Sequence, residues 1–354
     1  MAKKIIFVLL LCLFVYALLN WSRITNYLRP DTRTINNKEV TLLFREDPGE
    51  EFLLEQLMKN GVLKDRKDFK EYIKTNDIST SNFAAGKYLI LSGTQLSDLI
   101  NGFIKDENGN GNAEIKVNVD FNRCRFVEDI GSNISKCILA DSASIVEYIK
   151  DPGTSEKYGF TQHQMVSMFL PKRYKMYFDT DAEEFVAFMA MEYKKFWNEQ
   201  RLNKMKSLGL KSQSEVATLA SIVYSEQSKI KEEWPIIARL YMNRLRKGIR
   251  LQSDPTFKYC WGRELDGVER LLNKHKNIDC SYNTYKINGL PPGPICLAPE
   301  QVIDAVLNPA DVAYIFMCGK PGGNGHNFAV TNREHEKNAS DYRKWLTNYL
   351  KEKE

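Results

Sequence analysis

Histidine is scarce: four residues in 354, with no pair at metal-ligand spacing, and the seven cysteines include no C-x-x-C pair. That combination argues against a zinc site, and no cofactor is expected. The glycine-rich residues 319–325 lack the Gly-Lys-Ser/Thr ending and following helix that a phosphate loop needs. Residues 106–117 place Asp106, Asn108, Asn110 and Gly111 as a calcium loop would, but Val117 stands where a bidentate carboxylate is required. A net charge of +5 falls well short of a nucleic-acid specialist, and the few basic residues of 243–250 share their segment with apolar Leu245. No nucleic-acid partner is expected.

Only one long apolar run is present. It extends from Ile5 to Leu19 behind Lys3 and Lys4 and closes on Asn20 and Trp21. A cleaved signal peptide competes with a membrane anchor here, but no small-x-small cleavage site follows the run. The reading adopted is a tail over residues 1–4, a signal anchor over 5–21 and a polar tether over 22–38, with everything beyond extracytoplasmic. The remaining pattern alternates helical and strand-like segments, which predicts an α+β protein: a small module over 39–105, a largely helical connector over 106–205 and a mixed α/β domain over 206–354.

The chemistry is concentrated after Lys206. Ser212 and Glu215 read as a capping box ahead of Val216, Leu219, Ala220, Ile222 and Val223, whose spacing buries one helical face. Glu226 follows on that face, four residues after Ile222 and three after Val223, so its carboxyl should sit at the rim of apolar packing. Desolvation there would raise its pKa toward that of a general acid. The competing reading is a helix-terminal glutamate in solvent or paired with Lys229. Pro235 opens a second helix with Ile237, Leu240, Tyr241 and Leu245 on one face, and Gly248 ends it. Residues 249–254 then read as extended, with Ile249 and Leu251 inward, Arg250, Gln252 and Asp254 opposite, and Asp254-Pro255 as an N-cap or turn.

Four pieces, ASIVYSEQ, NRLRKGIRLQSDPT, YNTYKINGLPPGPI and GHNF, resemble the endolytic murein transglycosylases, membrane-anchored bacterial enzymes that cut peptidoglycan glycan strands. The resemblance extends to a LysM-like module for residues 39–105, carried by GVLKDRKDF and FAAGKYLI. It implies that Glu226 is catalytic, that Asn243, Gln252, Ser253, Asp254, Tyr282, Asn283, Tyr285 and His326 line the substrate cleft, and that Arg244 and Arg250 meet lactyl or stem-peptide carboxylates. The implied partners are glycan strands, the inner membrane through the single-pass anchor, and peptidoglycan synthases. The implied role is to limit nascent strand length from the periplasmic side. Two departures stand out: Lys172 and Arg173 follow Phe169-Leu-Pro where the family has an acidic and a small polar residue, and Tyr224 replaces a second glutamate.

Two other readings compete. A hydrolytic muramidase needs a second carboxylate, for which Asp254 is the candidate. A non-catalytic wall-binding scaffold needs only the module and the anchor. Of the cysteines beyond Cys12, the close pairs Cys124 with Cys137 and Cys260 with Cys280 are the first candidates for disulfides.

Overall fold

The computed structural model describes residues 33–120, 124–268 and 272–351. Among these no helix is long and apolar enough to cross a membrane. The anchor expected over 5–21, the tail before it and the tether as far as residue 32 lie outside the described residues. The chain forms two compact units.

The first unit comprises residues up to Lys116 together with Tyr177–Asp179. Its strands β1 (Val40–Phe44) and β2 (Gly86–Ile90) pair antiparallel, Val40 opposite Ile90 and Phe44 opposite Gly86. Between them lie α1 (Glu50–Lys59) and α2 (Arg66–Thr75), and α3 (Leu96–Phe103) follows. Asp65 caps α2 by accepting from the Lys67 N–H, and apolar residues at helical spacing close the core: Leu53, Leu54, Leu57, Phe69, Phe83 and Phe103. Leu54 faces the core, while its neighbour Phe52 stays 52% exposed. Phe52 still meets Phe44 edge to face at 6.1 Å, so it shields the sheet from outside. Asp106 accepts from the N–H groups of Asn108 and Asn110, a turn-forming use of that carboxylate.

The second unit holds Val117–Met176 and everything from Thr180 onward in one core. Its elements are β3 (Val117–Asp120), α4 (Val127–Ile134), α5 (Ser142–Lys150), α6 (Pro152–Lys157), β4 (Arg173–Met176), α7 (Ala182–Phe196), α8 (Glu199–Ser207), α9 (Gln213–Glu226), α10 (Trp234–Arg246), α11 (Asp254–Cys260), α12 (Asn273–Lys276), α13 (Glu300–Leu307), β5 (Phe316–Gly319), β6 (His326–Ala329) and α14 (Asn332–Lys351). Strand β3 pairs antiparallel with β4, and β5 with β6. Helix α9 is buried along an unbroken run from Val216 to Val223, so it is the central helix, not an amphipathic one at the surface. It packs against α10 and α13.

Three local features qualify this outline. Strand β5 starts only at Phe316, because the preceding carbonyls of Val312, Tyr314 and Ile315 serve side chains of α10. Helix α14 packs on β5 and β6 without fully burying any residue, and along it Tyr342, Trp345 and Tyr349 stack on one another at 5.7 and 5.3 Å. Cys260 and Cys280 form a disulfide, whereas the other expected bridge, Cys124 to Cys137, does not form.

Candidate active site

Helix α9 begins as a capped helix and ends on Glu226. The Ser212 hydroxyl accepts from the Glu215 N–H at 3.2 Å, while the Glu215 carboxylate reaches back to the Lys211 N–H at 2.7 Å, one residue earlier than a regular capping box. At the far end Gln227 closes the helix, and the Glu226 carboxyl turns into protein. Its Oε1 accepts from the Tyr241 hydroxyl at 2.7 Å and from the Ser253 hydroxyl at 2.5 Å. It makes no ion pair with Lys229 among the described residues. Burial pushes the Glu226 carboxyl above its ordinary pKa, and the charge of Asp254 acts in the same direction; the two hydroxyl donors and His326 pull the other way.

Each donor is fixed by its own element. Tyr241 sits on the buried face of α10 and is 2% exposed. Ser253 stands at the N-cap of α11, but its hydroxyl caps nothing. That hydroxyl is given to Glu226, while the Ser253 N–H is held by Thr284 Oγ1 at 3.0 Å. The backbone just before it is constrained as well: Gln252 has φ 51°, and its N–H bonds the Thr284 carbonyl. Thr284 belongs to the 282–295 loop, which is pinned to α9 where the Ile295 N–H donates to buried Ser221 Oγ. Gly293 in that loop passes so close to the His163 carbonyl that a Cβ would lie 1.9 Å from its oxygen.

Several residues expected in the cleft are structural. Asn243 gives its amide to the Val312 and Tyr314 carbonyls. Arg244, 8% exposed, donates to the carbonyls of Arg250 and Ile315 and to Gln252 Oε1, so its whole guanidinium is engaged inside the fold. Asn283 is fully buried, with both its donors and its acceptor on backbone. Tyr282 is 7% exposed and packs on Tyr259 at 4.7 Å. Arg250 is exposed but bonded to Asn288 and the Tyr285 carbonyl. Asp254 Oδ1 accepts from the Tyr285 hydroxyl and pairs with Lys276 at 3.2 Å. These contacts occupy the only carboxylate that could act as a second catalytic acid beside Glu226 in the expected set.

His326 reaches the same site from the start of β6. Its ring Nδ1 lies 2.7 Å from Glu233 Oε2, and its backbone N–H donates to Glu233 Oε1 at 2.8 Å. Burial works against charge on Glu233, but the His326 amide, the ring and the Gln227 amide together hold the carboxyl below its ordinary pKa. A carboxylate only accepts, so Nδ1 carries the proton in this contact. Tyr241, which donates to Glu226, and Glu233, which holds His326, are the residues of this network that the pattern of the sequence did not single out. Tyr241 counted as core by its spacing, and Glu233 beside Glu232 carried no periodic signal.

Residues 47–341 match the family described as the YceG-like family. The chain is 29% identical over 301 residues to an endolytic murein transglycosylase of Bacillus subtilis (strain 168), spanning 81% of this chain and 80% of that one. A shorter likeness, 27% over 131 residues, joins it to an endolytic murein transglycosylase of Streptococcus pneumoniae and spans 36% of this chain and 24% of that one. Among solved structures, a yceG-like protein of Listeria monocytogenes superposes with a TM-score of 0.53 at 22% identity, over 85% of this chain and 99% of that one, a likeness of fold.

Proposed function

This chain belongs to the YceG-like family, and on that premise we propose that it is a lytic transglycosylase that cuts peptidoglycan strands internally between N-acetylmuramic acid and N-acetylglucosamine. The observation that carries this reading is Glu226: one desolvated carboxyl, raised in pKa, with two hydroxyls donating to a single oxygen. A protonated Glu226 donates to the glycosidic oxygen as the C1–O bond breaks. The muramyl C6 oxygen then bonds to C1, and its proton passes to the Glu226 carboxylate, which restores the acid. No water is consumed, and the product is a 1,6-anhydro ring. The nucleophile is already held within the substrate, so no second carboxylate is needed to activate it.

The proposed setting follows the sequence. Residues 5–21 anchor the chain in the inner membrane, the catalytic unit lies outside, and the first unit serves as a LysM-like module near the glycan, where cleavage limits strand length. Fractionation after removal of residues 1–31 tests the anchor; a chain still sedimenting with membranes in high salt would sink it.

Mass spectrometry of products from purified glycan tests the chemistry. Anhydromuramyl ends, one water lighter than hydrolytic ends, are expected, and Glu226→Gln should lower turnover at least ~100-fold while the fold survives. Reducing muramic acid ends as the main product, with Asp254→Asn as inactive as Glu226→Gln, would favour hydrolysis by paired carboxylates instead.

A further inference from the structure

Arg244 and Arg250, the cations expected to meet carboxylates on the substrate, are bonded to protein. Two lysines beside the helix ends at the site differ. A cavity of about 740 Å³ is built on the two helix ends that also present Glu226 and Ser253. Ser225, Ser228 and Lys229, around the end of α9, line one side, and Pro255 and Lys258 of α11 line another. Arg125 and Asp266 also line it, but these two charges close on each other, the Arg125 guanidinium bonding both Asp266 and the Gly262 carbonyl. Among the described residues neither the Lys229 nor the Lys258 ammonium has an ion-pair partner, and the rest of the wall includes apolar Leu265 and Ile295.

We propose that this cavity binds the acidic peptide branch of the muramyl residue at the cut bond, with Lys229 and Lys258 meeting its carboxylates. The assignment rests on the reading of the chain as a peptidoglycan lytic transglycosylase and adds a specificity to it. Size fits, since the cavity lies within the roughly 300–1,000 Å³ range of ligand sites. Chemistry separates the two parts of the substrate. The glycan offers uncharged hydroxyl and N-acetyl groups, for which a pair of free ammoniums gives no discrimination. A peptide branch alternates small apolar side chains with carboxylates, as this wall alternates Pro255 and Ile295 with lysines. Charged hydrogen bonds in a partly enclosed wall are also stronger than at an open surface.

The experiment compares kcat/KM on glycan strands carrying their peptides with kcat/KM on strands stripped of them by an amidase. Wild type should prefer the peptide-bearing strand about tenfold or more, as expected for the loss of hydrogen bonds to charged groups. In Lys229→Ala/Lys258→Ala that ratio should fall to about one, and Lys229→Arg/Lys258→Arg should restore it. Because the readout is a ratio within one protein, a general loss of fold or turnover cancels. A wild-type ratio near one, or a ratio unchanged in the alanine pair, overturns the assignment while leaving the enzymatic reading intact. If wild type cuts neither strand, the enzymatic reading fails and this one with it.

Discussion

Glu226 receives two hydroxyls on one oxygen, and each lowers its affinity for a proton against the larger effect of burial. Removing one should therefore move the pKa upward. We predict that Ser253→Ala shifts the alkaline limb of the rate profile to higher pH, since the acid form persists further; a shift to lower pH would contradict the assignment of Ser253 as donor. Glu233 holds the His326 ring, whose charge acts on Glu226, so in the proposed enzyme Glu233→Gln should loosen the Nδ1 tautomer and lower kcat up to about 100-fold, the scale of a displaced group near the reacting atoms. Nitrogen-15 shifts of the His326 ring give the direct check, and unchanged shifts would make Glu233 a packing residue only. At this scale the sequence was legible where chemistry followed spacing. Glu226 stood out because it lay three and four residues from buried side chains. Glu233 did not, because its partner lies 93 positions away and nothing local distinguishes it from Glu232.

Helices α9 and α10 could be read from their apolar spacing, with Pro235 near the start of α10 and Gly248 beyond its end, because a 3.6-residue period is written locally. The glycine-rich turn over 319–325 could also be read, but its closure onto the start of α10 could not, since nothing local records that contact. Gly325 has φ 85°, and a Cβ there would lie 2.3 Å from Glu233 Oε1, so the hairpin closes onto the carboxylate that holds His326. Gly325→Ala should cost about 1 kcal/mol or more of stability and lower turnover as well. A denaturation midpoint equal to wild type, with full turnover, would show that the hairpin tolerates the methyl group. The Cys260–Cys280 bridge joins the end of α11 to the chain just beyond α12, and its loss in Cys280→Ser should cost about 2–4 kcal/mol. Reductant should then lower the melting temperature of wild type but not of that variant.

Each of the two units has its own core, and the first contains a carboxyl that responds to pH. Glu114 is 9% exposed, and its Oε1 accepts from the Phe178 N–H at 3.1 Å. Burial pushes it up to about 7, with Asp179 adding to the rise and backbone donors opposing it. A folded-state pKa above the unfolded value means that the native form holds its proton more tightly. That contribution is complete below about pH 4.5 and is lost as pH climbs through about 7. Melting of the first unit should fall across that window, and Glu114→Gln should flatten the slope; an equal slope in the variant would place the dependence elsewhere. The same region has a consequence for cutting the chain. Tyr177–Asp179 belong to the first unit, although the residues on either side, up to Met176 and from Thr180, belong to the second. The backbone is thus stitched through the module twice, once in leaving it after Lys116 and again in returning for three residues. A protease that nicks the chain between Lys116 and Val117 should leave two fragments that still co-elute, because Phe178 remains seated in the module like a pin through a hem.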